Sequence, residues 1–415
     1  GFKLSQNGFF IQKTGMFIVD STPRGAKIII NGKVQKNFIG SLFSKTNFIA
    51  TPAKIKNLLP GEYDLALELN GYSSWQKKLI INPGAATFAE GVYLFKNDLP
   101  VQIFPAETRA INLSPRENRA VILSGGQVIF YNLLDETKKS AGQDNLKGKN
   151  IAWSDDGQEA VIDDYLYNFN DFNVKADLSE LIPGIFNYKW NNNAWFFQDK
   201  SSIYQLSKDN LPIKIIGDKK FNDFLVKDRY LYLIDKSAAA ANLEMISIAS
   251  GEQIKNISLP ASGDYSFINQ EHAWLNLYDK EKDTLYLVDP LSPYSPLADA
   301  ISNVKTAFWV DGDNLLYAGD YEIWLYNLTA KTKTLITRLS DTISRAVMHP
   351  SKNHIIYSTG RTINAIELDE REKRNIAELA RFDSIGSFVL NPKGTILYFI
   401  GKIGNQEGLY KLFIQ

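Results

Sequence analysis

Between Thr306 and Leu339 four short apolar runs, at residues 307–310, 315–318, 322–327 and 334–339, alternate with polar turns. The first two gaps carry Asp311-Gly312-Asp313-Asn314 and Gly319-Asp320. β-Branched and aromatic runs of this length, bounded by Gly, Asp and Asn, predict strands joined by hairpins. Four such strands make a meander that cannot bury both of its own faces, so the pattern matters most if it recurs. The apolar residue before the first turn recurs as Leu113, Trp153, Trp190, Val226, Ile268, Trp309, Met348 and Leu390, at intervals of 36 to 42 residues. A second marker on the third strand keeps step as Tyr131, Tyr167, Tyr204, Tyr286, Tyr326 and Tyr410, with Ile246 and Ile366 in the other two units.

A four-strand unit repeated about every 40 residues predicts the blades of a β-propeller. The eighth unit is one strand short when the chain stops at Gln415. Residues 99–104, LPVQIF, form an unassigned strand-like run just before the first unit, with a proline that an edge strand tolerates. This segment is therefore expected to complete the last blade and remove its free edge.

Ahead of the ring the pattern changes. Phe17-Ile18-Val19, Lys27-Ile28-Ile29-Ile30, residues 64–69, 76–81 and 91–95 predict a small antiparallel sandwich. The turns Ser21-Thr22-Pro23-Arg24-Gly25-Ala26, Asn31-Gly32, Thr51-Pro52, Leu59-Pro60-Gly61-Glu62-Tyr63 and Asn70-Gly71-Tyr72 connect it. With these motifs, residues 16–95 resemble the PEGA domain. The ring units are similar to the WD40-like repeats of TolB-type bacterial propellers, in which a Ser-Pro-Asp-Gly turn follows the innermost strand. Ser114-Pro115, Ser154-Asp155-Asp156-Gly157, His349-Pro350 and Asn391-Pro392-Lys393-Gly394 are partial matches. The expected fold is all-β: residues 1–15 a juxtamembrane stalk, 16–96 a PEGA-like antiparallel sandwich, and 97–415 an eight-bladed propeller. The PEGA resemblance implies a bacterial cell-surface or envelope location, often behind a single membrane helix.

Composition narrows the function. Lys plus Arg total 46 and Asp plus Glu total 46, so no net field attracts nucleic acid or anionic lipid. Cysteine is absent, which excludes disulfides and thiolate metal sites. No apolar run reaches the length of a membrane span. A start at Gly1 rather than Met leads to the expectation of a membrane helix or lipid anchor upstream of Gly1.

Chemistry-bearing motifs are sparse. Asp311-Gly312-Asp313-Asn314 opens like a calcium loop but lacks the later oxygen ligands and Glu, so a hairpin turn is expected. His349 and His354 flank a turn, with no third ligand near enough to hold zinc. The nearest approach to a hydrolase elbow, Gly71-Tyr72-Ser73-Ser74-Trp75, lacks the second Gly, and no phosphate-cradling glycine loop occurs. No catalytic residue, metal ligand or cofactor is assigned.

One set of residues remains. Positions four and three before each first marker should start the innermost strands at one mouth of the central channel. They place Arg109, Lys149, Asn187, Asp223, Asp264, Lys305 and Arg345 there as a candidate binding ring. The functional expectation is a non-enzymatic binding or scaffold protein of the envelope, its propeller displayed to a protein or to a cell-wall or surface glycan. The alternatives are a structural protein of a surface layer, or a propeller enzyme acting on glycans or peptides, in which Asp223 and Asp264 would converge as a carboxylate pair.

Overall fold

Alternation of inward and outward side chains, clearest in Gly15–Thr22 and Trp75–Ile81, builds the N-terminal unit from two facing sheets. The computed structural model describes residues 1–4, 11–36, 48–105, 108–115, 118–141, 146–148, 150–235, 241–260, 263–268 and 272–415. One sheet orders Ala53–Leu58, Gly15–Thr22 and Ala86–Tyr93; the other orders Lys33–Val34, Lys27–Ile30, Gly61–Glu68 and Trp75–Ile81. Phe17, Val19, Ile28, Leu65, Leu67 and Trp75 meet between them in one apolar core. The sandwich is not wholly antiparallel as expected: Ala86–Tyr93 runs parallel to Gly15–Thr22. The chain reaches this strand by crossing from the edge of the opposite sheet, and a crossover, unlike a hairpin, does not force reversal. Within residues 1–15, Phe2–Leu4 pairs antiparallel with Ile11–Lys13, and Gly15 already belongs to the sandwich.

Residues 101–413 form eight four-stranded antiparallel sheets. Seven are simple meanders, at 108–140, 151–177, 186–216, 224–258, 265–302, 306–338 and 343–381. The eighth combines Ser384–Leu390, Ile396–Ile403 and Gln406–Phe413 with Val101–Phe104 as its outermost strand. Val101 pairs with Lys411 and Phe104 with Leu409. Successive sheets share apolar clusters, and the last cluster joins the eighth sheet to the first: Phe104, Val389, Tyr398 and Leu409 pack with Ile111, Ile122 and Tyr131. The sheets therefore close into a propeller ring. A single helical turn, Leu178–Leu181, interrupts the strands where sequence predicts no helix; Asp177 caps it by accepting from Ser179 N at 3.0 Å.

All six third-strand tyrosines pack toward the preceding sheet, but they do not share one position. Tyr131 pairs with Ala120, Tyr167 with Ala160 and Tyr326 with Leu315, each one residue into the second strand. Tyr204 and Tyr410 pair with Phe197 and Phe399, each three residues in. A two-residue displacement preserves the strand face. It moves Tyr204, Tyr286 and Tyr410 toward the turn and leaves the inner slots to Leu206, Val288 and Leu412. Of these three, Tyr204 and Tyr286 are half-buried, whereas Tyr410 stays buried like Tyr131, Tyr167 and Tyr326.

Because chain order runs from the inside of each sheet outward, turns after the first and third strands fall on one face of the ring. Turns after the second strands, with the links between sheets, fall on the other. The sandwich docks on the first face, at the seventh and eighth sheets. Lys77, with a fully buried side chain, meets Glu367 Oε1 at 2.6 Å and donates to the Asp369 carbonyl at 2.8 Å. Glu367 Oε2 accepts from Trp75 Nε1 at 2.7 Å, and Oε1 accepts from Asn375 N at 2.8 Å. Tyr93 and Phe95 of the sandwich pack edge-on against His349 and His354 of the ring. The opposite face stays open.

Candidate functional site on the open face

Among the described residues, the expected channel-mouth positions fall at the starts of innermost strands on the open face, and Asn187, Asp223 and Arg345 are occupied in holding sheets together. Asn187 stands in a left-handed conformation, φ 55°, and its Nδ2 donates to Gln198 Oε1 at 2.7 Å and Asp223 Oδ1 at 2.8 Å. Asp223 also accepts from Phe224 N at 2.9 Å and, through Oδ2, from Phe267 N at 3.0 Å. One carboxylate thus ties the third, fourth and fifth sheets, and this hydrogen-bonded brace is not a free acid facing Asp264. The Asp264 backbone binds Asp279 Oδ1 and Lys280 N. The Arg345 guanidinium lies between the rings of Phe308 and Phe388, at 5.7 and 5.8 Å, bridging sheets six to eight. Lys149 and the side chain of Arg109 lie outside the described residues.

Lys305 is different. Its ammonium meets Asp283 Oδ2 at 2.7 Å, beside a cavity of about 590 Å³ between the fifth and sixth sheets. Lys305 and then the Tyr278 hydroxyl, donating to Oδ1 at 2.7 Å, hold the Asp283 carboxyl below its usual range. Asp320, Tyr321, Trp324 and Lys333 line the other wall. Trp324 Nε1 donates to Glu322 Oε2 at 2.9 Å, and Arg338 clamps the same carboxylate from Oε1 at 2.6 Å. These two donors, the indole first, keep Glu322 ionised below the usual carboxylate range. Tyr317 lies parallel to Trp324, ring centroids 6.5 Å apart.

Counting along innermost strands finds Lys305 but misses Tyr321, in the turn after the second strand, and Trp324, in the third strand Glu322–Asn327. The available signal was the position of Tyr321 itself. The corresponding turns of sheets one, seven and eight carry Gly125-Gly126, Gly360-Arg361 and Gly404-Asn405, so the repeat does not require an aromatic there.

The other motifs resolve as structure. Asp311 Oδ1 accepts from Asp313 N at 2.9 Å and Asn314 N at 2.8 Å, a turn closed on itself. His349 Nε2 donates to the Gly394 carbonyl at 2.9 Å while Nδ1 accepts from Ser351 N. Among the described residues no cluster of His, Cys, Asp or Glu could hold a metal ion, and no helix is long and apolar enough to cross a membrane.

Residues 14–90 match the family model of the PEGA domain. No curated protein matches the chain. Among solved structures, the ring is similar to a eukaryotic initiation factor, at 12% identity and TM-score 0.54, covering 74% of this chain and 88% of that one. It is also similar to the Dos1 propeller, at 12% identity and TM-score 0.53, covering 76% and 94%. Dihydro-heme d1 dehydrogenase NirN in complex with DHE matches at 15% identity and TM-score 0.49, over 66% of each chain. The family match and the likeness to the first two of these structures define the fold alone: an all-β chain in which a PEGA domain precedes a WD40-like propeller.

Proposed function

We propose that this chain is a non-catalytic binding protein of the bacterial cell envelope, in which the PEGA domain positions a propeller whose open face receives a partner. The observation that carries this reading is the docking of the sandwich. It covers the ring at the seventh and eighth sheets through Lys77, Trp75 and Glu367, on the side opposite the channel mouth and the Lys305 cavity. The extracytoplasmic setting, and a membrane anchor outside residues 1–415, rest on the PEGA likeness. A binding rather than hydrolytic role agrees with the carboxylates of the open face. A glycosidase acid needs a carboxyl pushed upward, whereas Asp283 and Glu322 are held down, and Asp223 is consumed in bracing three sheets. Protein and surface-glycan partners both suit the face.

The test is made in cells expressing the full reading frame, with a photo-crosslinking residue placed at Arg361 or Lys402 on the open face, or at Tyr294 on the docked face. Membrane-fraction recovery with adducts confined to Arg361 and Lys402 is the expected result. Recovery in the soluble cytoplasm, or equal adducts from Tyr294, overturns the reading.

A further inference from the structure

The cavity between the fifth and sixth sheets has a chemistry more specific than a polar mouth. Its volume, about 590 Å³, falls in the range of small-ligand sites. Tyr321 stands at the apex of its turn, 49% exposed, although the repeat needs no aromatic there. Trp324 is fixed by its bond to Glu322 and by Tyr317 alongside. Aromatic faces carry the negative side of a quadrupole. They attract the polarised C–H bonds on the apolar face of a sugar ring.

The charged groups around these rings balance in sign and favour no net charge in a ligand. Asp283 is paired with Lys305 and Glu322 with Arg338, and the lining adds Asp320, near enough to Lys305 to act on it, and Lys333, whose ammonium lies over the Tyr326 ring. Each of these last two groups attracts what the other repels, so together they give neither an anion nor a cation a net advantage. A neutral polyol donates to the carboxylate and accepts from the ammonium, both charge-assisted bonds.

The wall is also built before any ligand arrives. The Asp320 carbonyl accepts from Ile343 N at 2.7 Å, the Tyr321 carbonyl from Leu339 N at 2.8 Å, and Gly319 N donates to the Glu322 carbonyl at 3.0 Å. A Cβ on Gly319 would come within 2.7 Å of the Asn303 carbonyl oxygen, so glycine is what lets this turn close onto the link from the fifth sheet. Backbone fixed in this way lowers the ordering cost of binding.

From these features we infer that the Lys305–Tyr321 cavity binds a neutral saccharide, one or two rings stacking on Tyr321 and Trp324 with hydroxyls shared between Asp320 and Lys333. The inference deepens the proposed binding role by naming the ligand class of the open face.

Chitotriose, cellotriose, maltotriose and mannotriose, titrated into the intact chain by calorimetry and by ligand-observed NMR, test it. At least one should saturate. Tyr321→Ala and Asp320→Ala should each weaken that sugar at least tenfold, Tyr321→Trp should retain it, and Tyr294→Ala, 96% exposed on the other face, should leave it unchanged. An unaltered thermal transition in Tyr321→Ala confirms that folding is intact. No saturation by any of the four sugars, or equal saturation in Tyr321→Ala, overturns the saccharide inference. Crosslinks from Arg361 and Lys402 that persist in that case leave the binding role standing, so the two failures are separable.

Discussion

His354 sits at the junction of sandwich and ring, its Nδ1 without a hydrogen-bond partner among the described residues, 5.2 Å from the Phe95 ring and 5.9 Å from that of Tyr93. Burial first, then the neighbouring His349, pushes its pKa down to about 3 from 6.5. Burial lowers that of His349 in the same direction, against its bond to Gly394. In the unfolded chain both imidazoles take up a proton near pH 6.5, while the folded protein keeps them neutral. The stability they contribute is therefore complete above pH 6.5 and is lost as pH falls toward the folded value. Each such group takes away about 1.4 kcal/mol per pH unit in that window. Urea unfolding at pH 7, 6, 5 and 4 should show this decline, and His354→Leu should flatten it by roughly one group's share. Parallel pH profiles for the two proteins would refute the assignment.

At the scale of elements, closure of the ring turns on a contact that no pattern of apolar residues announces. A Cβ on Gly408 would lie 2.2 Å from the Phe104 carbonyl oxygen, where the outermost strand of the eighth sheet bulges between Gln102 and Phe104. Gly408→Ala should push Val101–Phe104 away from Gln406–Phe413. The cost should be about 1–3 kcal/mol, as for other overpacked sites, with new proteolytic cleavage within residues 98–107. A variant as stable and as resistant as the parent would show that this strand yields freely. The strand itself was legible in sequence, because a last unit one strand short needs a donor and residues 99–104 had no other place. The period also placed the innermost strands, hence Lys305. Other features obeyed rules outside that count. The direction of Ala86–Tyr93 follows from a crossover, and Tyr204, Tyr286 and Tyr410 could shift by two residues without changing face. Tyr321 lies on a turn that the count passed over. In Trp75–Ile81 the inward positions are Trp75, Lys77, Leu79 and Ile81, so alternation alone marks Lys77 as a buried cation in need of an acid. Which acid it finds is not encoded locally, since Glu367 lies in a different sheet, far along the chain.

For the whole molecule, that ion pair decides whether sandwich and ring move as one body. Linked domains are free to reorient unless their interface is substantial. Here the side chains of Lys77 and Glu367 are only 0% and 5% exposed, and the same carboxylate serves Trp75 and Asn375. Around them Arg371 Nη1 donates to the Phe88 carbonyl at 2.6 Å and Lys78 N to Glu372 Oε2 at 2.7 Å. Deleting either side chain while the bodies stay docked would leave the other charge buried without its main partner. Removing one partner should therefore cost about 3–5 kcal/mol, while replacing both by apolar side chains should recover most of it. The absence of native cysteine makes the geometry measurable, with nitroxide labels at Lys33→Cys on the sandwich and Lys402→Cys on the ring. The intact chain should give one narrow distance distribution. Glu367→Ala should broaden it, and Lys77→Met combined with Glu367→Leu should narrow it again, because packing then replaces the charges. A broad distribution in the intact chain would mean that the sandwich swings on its link. It would then no longer hold the open face at a defined height, and the proposed role of the PEGA domain as a fixed platform would fall with it.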